Sequence, residues 1–374
     1  MNPINRRSML ETSAAAAAGI AAGALVPDRL LDAARPNTAS ASRLRFGVVG
    51  INHAHIYGMV DAIARGGGEL VSFHAREPDL ADEFGRRYPN AKRVREDREV
   101  LEDRTIQVIL SAIVPNERAP LGIRAMQLGK DYVCDKPGMT TLAQLAEVKR
   151  VQAATKRIYS IVYSERFENG ATLRAGELVR SGAIGQVVQT IGLGPHRIHP
   201  PARPDWFWDP ERHGGILCDI ASHQFDQFLW FTGSTSAEIG ASQVRNVRHP
   251  EHPRFQDFGD AMVRGNGGSG YVRVDWFTPA GLPTWGDTRL TILGTDGYIE
   301  VRKNVDLAGR AGANHLFIAD ATGVRYEDCR GVDLPYGRQL VDDILHRTET
   351  AMTQAHCFLA TELALRAQEQ ARLL

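Results

Sequence analysis

The stretch Leu44-Arg-Phe-Gly-Val-Val-Gly50-Ile-Asn52-His53-Ala-His55 decides the fold, because a short apolar run ends at a glycine and leads into a helical pattern. Strand, tight turn and helix in this order are typical of the start of a dinucleotide-binding domain, where the helix N-terminus faces a pyrophosphate. Gly50 fits the first glycine of the G-x-G-x-x-G fingerprint. Asn52, which tolerates positive φ, replaces the second glycine, and His55 replaces the third. A plain strand–helix turn is the alternative.

Outward from this stretch, strand-like and helical segments alternate as far as Tyr163, which predicts a parallel, doubly wound sheet. We therefore expect an α/β protein with a Rossmann-type domain over residues 42–163. Beyond Tyr163 the pattern changes to long strands with few helices between them. Residues 164–374 are predicted to form an α+β domain with a large open, mostly antiparallel sheet. Single helices are expected from Ile216 to Trp230 and from Arg338 to about Arg372.

The first 41 residues have the features of an export signal rather than of a domain. Arg6-Arg7 is a twin arginine, a weakly hydrophobic run follows from Ala14 to Val26, and Ala39-Ser40-Ala41 is a small-residue cleavage site. This pattern resembles a twin-arginine (Tat) signal, so we predict export to the periplasm and a mature chain that begins near Ser42. The apolar run is too short to span a bilayer, and no membrane attachment is expected in the mature form. A disordered basic N-terminus is the alternative.

Composition argues against several classes of partner. The chain has 374 residues, and its 44 lysines and arginines balance 44 aspartates and glutamates, so the formal net charge is zero. No basic excess indicates nucleic-acid binding. The four cysteines match no metal-binding spacing. They are expected to be buried thiols, and they are Cys134, Cys218, Cys329 and Cys357.

A candidate proton-transfer site combines two distant segments. Asp219 and His223 lie four residues apart in one predicted helix, so their side chains are expected to share a face. Lys136 lies in the segment Tyr132-Val-Cys-Asp-Lys-Pro-Gly138. Lysine, aspartate and histidine in one pocket can take a proton from a hydroxyl group and return it. The alternatives are an exposed helix pair, or a metal site formed by His213, Asp219 and His223.

The end of the second predicted strand, Ser72-Phe-His-Ala75-Arg76-Glu77, bears on the type of cofactor. An acidic residue there usually binds the ribose 2′-hydroxyl of NAD, whereas an arginine suits the 2′-phosphate of NADP. Ala75 and Arg76 occupy the expected place, so NADP is preferred over NAD. Glu77 would bind the ribose if the register shifted by two residues. A surface arginine at the head of a helix is the alternative.

Together these residues resemble the Gfo/Idh/MocA family of oxidoreductases, over nearly the whole chain from Leu44 onward. Asp135-Lys136-Pro137 stands where the family has Glu-Lys-Pro, and Val114-Pro115-Asn116 stands where it has Thr-Pro-Asn. The segment from Gly214 to Asp226 stands where the family has G-G-G-x-L-x-D-x-G-x-H-x-x-D. The chain departs from the family in its incomplete glycine turn, in aspartate for glutamate before the lysine, and in Arg118 near a position that usually holds histidine.

The resemblance implies hydride transfer between a nicotinamide and a sugar or polyol carbon, without a metal ion. It implies that His223 takes the hydroxyl proton, that Lys136 stabilises the same oxygen, and that Asp219 orients His223 or binds a neighbouring hydroxyl. It also implies a homodimer or homotetramer that forms through the second sheet. The expected cofactor contacts are Gly50, Asn52, His53, Ala75, Arg76, Val114, Pro115, Asn116, Asp135 and Lys136.

Two other functions stay open. A glycosidase or lyase of the same fold would oxidise and re-reduce its sugar on a resident NAD. A non-catalytic sugar-binding protein would need no proton-transfer residues, and the presence of Lys136, Asp219 and His223 argues against it. The periplasm has no known pool of free nicotinamide nucleotide, so either kind of enzyme is expected to hold its cofactor tightly.

Carbohydrate contacts are expected from the loop between His196 and His213, where indoles can stack on sugar faces and charged groups can bind hydroxyls. The alternative is that the tryptophans of this loop fasten it to the core. The residues proposed to contact the carbohydrate are Tyr163, Arg166, Arg197, Arg203, Trp206, Asp219 and His223, with Asp205 and Trp208 beside them.

Overall fold

The computed structural model describes residues 44–198 and 203–374, which form two sheets packed around one main hydrophobic core. The predicted signal peptide, residues 1–41, lies outside the described residues. Within the described ranges, no helix combines the length and the apolar character needed to cross a membrane.

The first sheet is wholly parallel and confirms the predicted Rossmann-type fold. Its strands are β1 (Leu44–Val49), β2 (Gly68–His74), β3 (Lys92–Arg93), β4 (Val108–Ser111), β5 (Asp131–Asp135) and β6 (Tyr159–Val162), in the order β3-β2-β1-β4-β5-β6. The helices between them are α1 (His55–Arg65), α2 (Pro78–Arg87), α3 (Asp97–Leu101), α4 (Pro115–Gln127) and α5 (Leu142–Thr155). Because the strand order reverses between β1 and β4, a crevice opens at their carboxyl ends, where such folds bind nucleotides.

The second sheet has nine strands among the described residues and is mostly antiparallel, as predicted. It consists of β7 (Val187–Pro195), β8 (Ala237–Arg245), β9 (Phe258–Gly265), β10 (Gly268–Asp275), β11 (Arg289–Gly294), β12 (Gly297–Arg302), β13 (His315–Asp320), β14 (Gly323–Asp328) and β15 (Arg372–Leu373), in the order β14-β13-β12-β11-β7-β10-β9-β8-β15. The pairs β7–β10 and β8–β15 are parallel. The helices that precede or interrupt it are α6 (Ser164–Phe167), α7 (Gly170–Arg180), α8 (Pro210–His213), α9 (Ile216–Asp219) and α10 (Ser222–Thr232).

The two faces of the second sheet differ in burial because successive side chains of a strand point to opposite sides. One face packs against helices such as α7 and α10, and its apolar residues are buried. The other face exposes large apolar side chains, two of which, Leu293 and Tyr298, are direct register partners on neighbouring strands. These exposed residues are Ile191, Met262, Leu293, Tyr298 and Tyr326.

The last two helices, α11 (Tyr336–His346) and α12 (Gln354–Glu369), return to the first domain. Helix α11 packs against α1, and α12 packs against α5. The Gln354 side chain accepts a hydrogen bond from the Tyr159 backbone N–H at 2.9 Å and donates to the Tyr159 carbonyl at 3.2 Å. Gln354 thus satisfies backbone groups on the outer edge of β6.

The predicted helix from Ile216 to Trp230 is wrong, because the structure has α9 and α10 in its place. The Ser222 hydroxyl donates to the Asp219 carbonyl at 2.8 Å, and the His223 N–H donates to the Ile220 carbonyl at 3.2 Å. Serine side chains that bond nearby backbone groups compete with regular helix bonds. The turn between Asp219 and His223 is therefore tighter than in a continuous helix.

The single helix predicted from Arg338 to about Arg372 is also wrong, since it is interrupted between α11 and α12. Arg347 adopts a left-handed conformation with φ of 59° and ends α11. The Asp343 carboxylate then binds the N–H groups of Thr350 and Ala351, each at 2.8 Å. Strand β14 was not predicted, although its Val-Arg-Tyr-Glu-Asp pattern alternates as an edge strand does.

Candidate active site

Gly50 shapes the cofactor crevice at the carboxyl end of β1. Its φ is +80°, and a Cβ at this position would lie 2.5 Å from Cβ of Ile113 on the loop after β4. Only glycine suits both the conformation and the space. A cavity of about 170 Å³ opens here, lined by Gly50, Asn52, His74, Arg76, Glu77, Ile113, Asn116 and Glu117 among others.

Gly50→Ala should prevent cofactor binding and should lower stability by about 1–3 kcal/mol, the usual cost of a strained backbone position. The matched control is Gly58→Ala on α1, where an added Cβ meets nothing within 4 Å. The control should leave stability unchanged or slightly improved, because alanine favours a helix. Thermal melting and the cofactor content of both variants provide the test. A Gly50→Ala protein that melts like wild type and retains cofactor would contradict this account of the turn.

The far side of the same cavity holds the residues predicted to select the cofactor. Arg76 is exposed, and its guanidinium pairs with Glu117 at 2.7 Å. Glu77 accepts a hydrogen bond from the Asn52 amide at 2.7 Å. The structure therefore places Arg76 and Glu77 together on the cavity lining. An arginine and two carboxylates meet at the expected ribose end.

Two observations indicate that these residues can hold a nicotinamide dinucleotide. Gly50 leaves the space that a side chain would fill. The side-chain oxygen of Asn116, also on the cavity lining, is buried and has no hydrogen-bond partner. A buried unpaired acceptor costs free energy unless a ligand or water satisfies it.

Of the other residues predicted to contact the cofactor, Val114 immediately precedes α4 and Pro115 begins it, whereas Ala75 follows β2 next to Arg76.

Asp135, at the end of β5, accepts three hydrogen bonds at the inner end of the crevice. Its donors are His55 Nδ1 at 2.9 Å, the Lys136 N–H at 2.8 Å and Arg118 Nη2 at 3.2 Å. His53 Nδ1 also lies 3.2 Å from the carboxylate, but it accepts the His55 N–H at 3.4 Å. Burial by itself would raise the pKa of Asp135. The neighbouring His55 and Arg118 instead hold that pKa well below its usual value, so the carboxylate is ionised.

Arg118 explains one departure from the family pattern. Its guanidinium is buried and donates to the carbonyls of Ile113, Asp135, Lys136 and Pro137, at distances between 2.5 and 3.1 Å. These bonds hold the backbone on both sides of the Lys136–Pro137 bond, which is cis. An arginine at this position therefore fixes the segment that carries Lys136. The sequence prediction missed this role, since nothing local in the sequence identifies the four carbonyls.

Lys136 and Asp219 form a buried ion pair between the two domains. Lys136 Nζ lies 2.7 Å from Asp219 Oδ1, and the two side chains are 6% and 16% exposed. Asp219 is placed by the turn at Gly215, whose φ is +85° and where a Cβ would lie 2.3 Å from the Gln368 side chain. Burial would raise the pKa of Asp219, but the charge of Lys136 lowers it below its usual value.

His223 lies on α10 and is almost completely buried. Its Nδ1 has no hydrogen-bond partner, and no hydrogen bond joins it to Asp219. Burial first, and then the nearby Lys136 charge, lower the pKa of His223 well below its usual value. Asp219 is therefore paired with Lys136, whereas the sequence suggested that it would orient His223. His223 is a neutral imidazole whose Nδ1 has no partner within the described residues.

Two further imidazoles lie near the Lys136–Asp219 pair. Burial lowers the pKa of His196 to about 3 and that of His213 to about 4. His213 Nδ1 accepts the Gly215 N–H at 3.1 Å, so its proton lies on Nε2, which is buried and unpartnered. The alternative metal site of His213, Asp219 and His223 is not assembled. Among the described residues, the set that can reach one ion is His53, His55 and Asp135.

The loop residues proposed to bind carbohydrate are largely engaged within the protein. The Arg203 guanidinium lies 4.2 to 4.9 Å from the ring centres of Phe207, Trp276 and Trp285, and burial lowers its pKa to about 10. Arg197 donates to the Pro279 carbonyl at 2.8 Å. Trp208 stacks on His252 with ring centres 4.0 Å apart. For these residues the geometry favours the alternative, in which the loop is fastened to the core.

The remaining loop residues stay available as predicted contacts, because Trp206 is half-buried and Asp205 is exposed. Tyr163 and Arg166 are placed differently. The Tyr163 hydroxyl bonds Thr361 at 3.1 Å, and Arg166 forms a two-point ion pair with buried Asp226 at 2.6 and 2.7 Å. The structure does not present either polar group to a substrate. Both stabilise the junction of the domains.

Glu165 is a buried carboxyl group near the site that the sequence did not identify. Its oxygens accept hydrogen bonds from the Gln224 amide at 2.9 Å and the Thr288 hydroxyl at 3.3 Å. Burial raises its pKa, against the opposing charge of Lys303. Glu165 adjoins Arg166 in sequence. Its partners lie 59 and 123 residues further along the chain, so the local sequence gives no signal for them.

Two family models match this chain. Residues 44–163 match the oxidoreductase family with an NAD-binding Rossmann fold, and residues 172–300 match the GFO/IDH/MocA C-terminal domain. A solved structure from Erwinia carotovora atroseptica, of a protein named as an oxidoreductase, is 44% identical. The similarity covers 88% of this chain and 99% of that one, with a TM-score of 0.87.

Levoglucosan dehydrogenase is similar both in sequence and in fold. The enzyme from Pseudarthrobacter phenanthrenivorans is 27% identical over 237 residues, which are 61% of this chain and 57% of that protein. A structure of levoglucosan dehydrogenase in complex with NADH and levoglucosan has a TM-score of 0.75 at 18% identity, covering 88% of this chain and 97% of the other. The chain matches about half the length of the curated relatives. On the family models and the similarity over nearly the full length of the Erwinia protein, the chain belongs to the Gfo/Idh/MocA family of NAD-binding oxidoreductases.

Proposed function

We propose that this protein transfers hydride between a tightly held NAD(P) cofactor and a CH–OH carbon of a sugar or polyol. The observation that carries the proposal is the buried Lys136–Asp219 ion pair, which joins the nucleotide domain to the second domain near the neutral His223. When bound, a nicotinamide supplies the hydride acceptor or donor. The protein's own residues must then transfer the hydroxyl proton and stabilise negative charge on the hydroxyl oxygen.

His223 accepts the hydroxyl proton in the direction of oxidation, because its imidazole is neutral. The Lys136 ammonium donates a hydrogen bond to the same oxygen as negative charge develops on it. Asp219 fixes the position of Lys136 Nζ, with which it shares a 2.7 Å hydrogen bond. As the carbon loses hydride and the oxygen loses its proton, the alcohol becomes a carbonyl compound. Reduction runs through the same groups in reverse.

The substrate class is supported by relatives rather than by a contact in the structure. The curated relatives include levoglucosan dehydrogenase and D-xylose dehydrogenase. Each of these names describes oxidation of a carbohydrate hydroxyl. Neither name supports the alternative of a glycosidase or lyase. We therefore propose a neutral carbohydrate as the small-molecule partner.

The test of the proposed function is mass analysis of the small molecules released when the purified full chain is denatured. Stoichiometric NAD(H) or NADP(H) is expected, followed by a change in nicotinamide absorbance when sugars and polyols are added. Absence of any nucleotide, together with no binding of added NAD(H) or NADP(H), would overturn the proposal. Released nucleotide with cleavage of a glycoside but no net redox would replace it with the alternative.

The same measurement decides the cofactor. We keep NADP as the first expectation because Arg76 lies on the cavity lining. A 2′-phosphate that bound Arg76 would have to displace the Glu117 carboxylate, which lies 2.7 Å from the Arg76 guanidinium. Glu77 would favour the free hydroxyls of NAD. If the protein releases NADP(H), the Arg76–Glu117 ion pair must open when the cofactor binds.

The pH profile should lack an acid limb near 6.5, the ordinary pKa of histidine. The pKa of His223 is lowered well below that value by burial, so its proton-accepting form stays populated as the pH falls from 8 to 6. An unperturbed histidine would be mostly protonated at pH 6 and would lose most of its activity as a base. The measurement is kcat/KM for alcohol oxidation between pH 5 and 9. A fall in kcat/KM centred on pH 6.5 would contradict the assignment of a neutral His223.

We also propose periplasmic export through the Tat-type signal and a homodimer or homotetramer. The open face of the second sheet supports the oligomer, because Ile191, Leu293 and Tyr298 expose apolar side chains on the neighbouring strands β7, β11 and β12, and Met262 does so on β9. Contiguous exposed apolar surface is typical of interfaces. Sedimentation of wild type and of Met262→Lys should show a smaller species for the variant. Fractionation of the native host tests export.

A further inference from the structure

His53, His55 and Asp135 bring three metal-ligating groups together at the inner end of the crevice. The potential ligand atoms all lie within 4.8 Å of one another. His55 Nδ1 is 2.9 Å from Asp135 Oδ1, and His53 Nδ1 is 3.2 Å from Oδ2. The two imidazole rings stand nearly perpendicular, at 85°, with centres 4.2 Å apart. Both rings therefore direct the same nitrogen toward one carboxylate.

We propose that His53 Nδ1, His55 Nδ1 and the Asp135 carboxylate bind one divalent transition-metal ion of the Zn²⁺ or Fe²⁺ type. Two imidazoles and a carboxylate are a common ligand set for these ions. Bonds of about 2.0–2.2 Å in a tetrahedral arrangement separate ligand atoms by about 3.3–3.6 Å. The two nitrogen–carboxylate distances, 2.9 and 3.2 Å, are close to that separation, and the whole set of ligand atoms lies within 4.8 Å, so side-chain shifts can complete the arrangement. Each imidazole binds the ion through an unprotonated Nδ1 and carries its proton on Nε2.

The hydrogen bonds around the Asp135 carboxylate resemble those that hold a metal-binding carboxylate in place. Arg118 Nη2 donates to Oδ2 at 3.2 Å, and the Lys136 N–H donates to Oδ1 at 2.8 Å. Hydrogen bonds of this kind orient ligating carboxylates in metal sites. Because the Arg118 charge opposes a cation at Oδ2, Oδ1 is the oxygen assigned to the ion. Arg118 itself is held by carbonyl groups and stays in place.

The site can be reached from the crevice. The His53 and His55 side chains are 27% and 41% exposed, whereas Asp135 is buried beneath them. Three protein ligands leave at least one position open on the ion. His55 begins α1 at the place of the third fingerprint glycine. The ion would therefore put positive charge where a cofactor diphosphate lies, a consequence that rests on the proposed function.

The first experiment titrates Zn²⁺, as zinc chloride, into the tag-free full chain after chelator treatment, with calorimetric detection. One ion per chain is expected. His55→Gln and His53→Gln should each weaken binding by at least about 100-fold, more than the 10- to 100-fold loss typical of an outer partner. His346→Ala, an exposed histidine at the end of α11, is the matched control and should bind like wild type. Circular dichroism and thermal melting of each variant verify folding.

Absence of Zn²⁺ binding, or equal binding by the two glutamine variants and wild type, would overturn the inference. In that case the three residues form a hydrogen-bonded cluster only. X-ray absorption of the zinc-loaded protein should show two imidazole ligands. The outcome is separable from that of the proposed function, because metal binding needs neither cofactor nor turnover. Zinc binding by a protein that neither releases nor binds NAD(H) or NADP(H) would leave the metal site standing and overturn the oxidoreductase proposal.

Discussion

Lys136→Met should reduce turnover by about 10²- to 10³-fold or more, the loss expected when a donor to a developing oxyanion is removed. Methionine preserves most of the side-chain volume, so the cofactor crevice should remain intact. The Lys136 ammonium is the group that pairs with Asp219 at 2.7 Å. Without it, the substrate oxygen loses the ammonium group proposed to stabilise its negative charge. The bound cofactor should stay at the wild-type level.

Two measurements check this expectation: steady-state rates with the active sugar, and cofactor content by mass after denaturation. Lys149→Met is the matched control, because Lys149 forms a half-exposed ion pair with Glu362 at 2.8 Å, away from the crevice. The control should retain wild-type turnover. Wild-type turnover by Lys136→Met would remove Lys136 from the mechanism. Loss of both turnover and cofactor would instead indicate a binding role.

Arg166→Met should lower the free energy of unfolding by about 3–5 kcal/mol, because it leaves the buried Asp226 charge without its main partner. Asp226 is completely buried and receives two bonds from Arg166, at 2.6 and 2.7 Å, and one from His356 at 2.8 Å. The Arg166 guanidinium also lies over the Phe167 ring, 4.1 Å from its centre. Both contacts are lost in the variant.

Urea denaturation of wild type and variants measures the change. The control is Arg150→Met, whose ion pair with Glu147 is exposed and should be worth no more than about 1 kcal/mol. The double variant Arg166→Met/Asp226→Leu should recover much of the loss, because it removes the orphaned charge. A loss below about 1 kcal/mol for Arg166→Met would contradict a structural role. Arg166 would then be free to serve the substrate, as first predicted.

The fold class was predictable because it depends on local patterns. Alternating apolar runs and helices identify a parallel sheet, and the family motifs extend the prediction to both domains. Helix continuity was less predictable. The breaks after Asp219 and at Arg347 depend on side chains, those of Ser222 and Asp343, that capture backbone groups. Such contacts compete with helix formation by small free energies that spacing does not reveal.

The sequence did not predict how the residues of the candidate site are paired. Sequence spacing paired Asp219 with His223, whereas the structure pairs Asp219 with Lys136, 83 residues away. Arg166 and Arg203 were expected to face a sugar because arginine binds hydroxyls. Their actual partners, Asp226 and a group of aromatic rings, come from distant elements. Contacts between remote segments are what a single sequence leaves undetermined.

Gln354 has a consequence for the order in which the chain is made. Until this residue leaves the ribosome, Tyr159 on the edge of the first sheet lacks the side chain that occupies its N–H and carbonyl groups. An unpaired edge strand is a template for pairing with other chains. We therefore expect this edge of the first sheet to stay uncapped until nearly the whole polypeptide has been synthesised. Chains truncated before α12 are expected to aggregate, even though every strand of the first sheet is present in them.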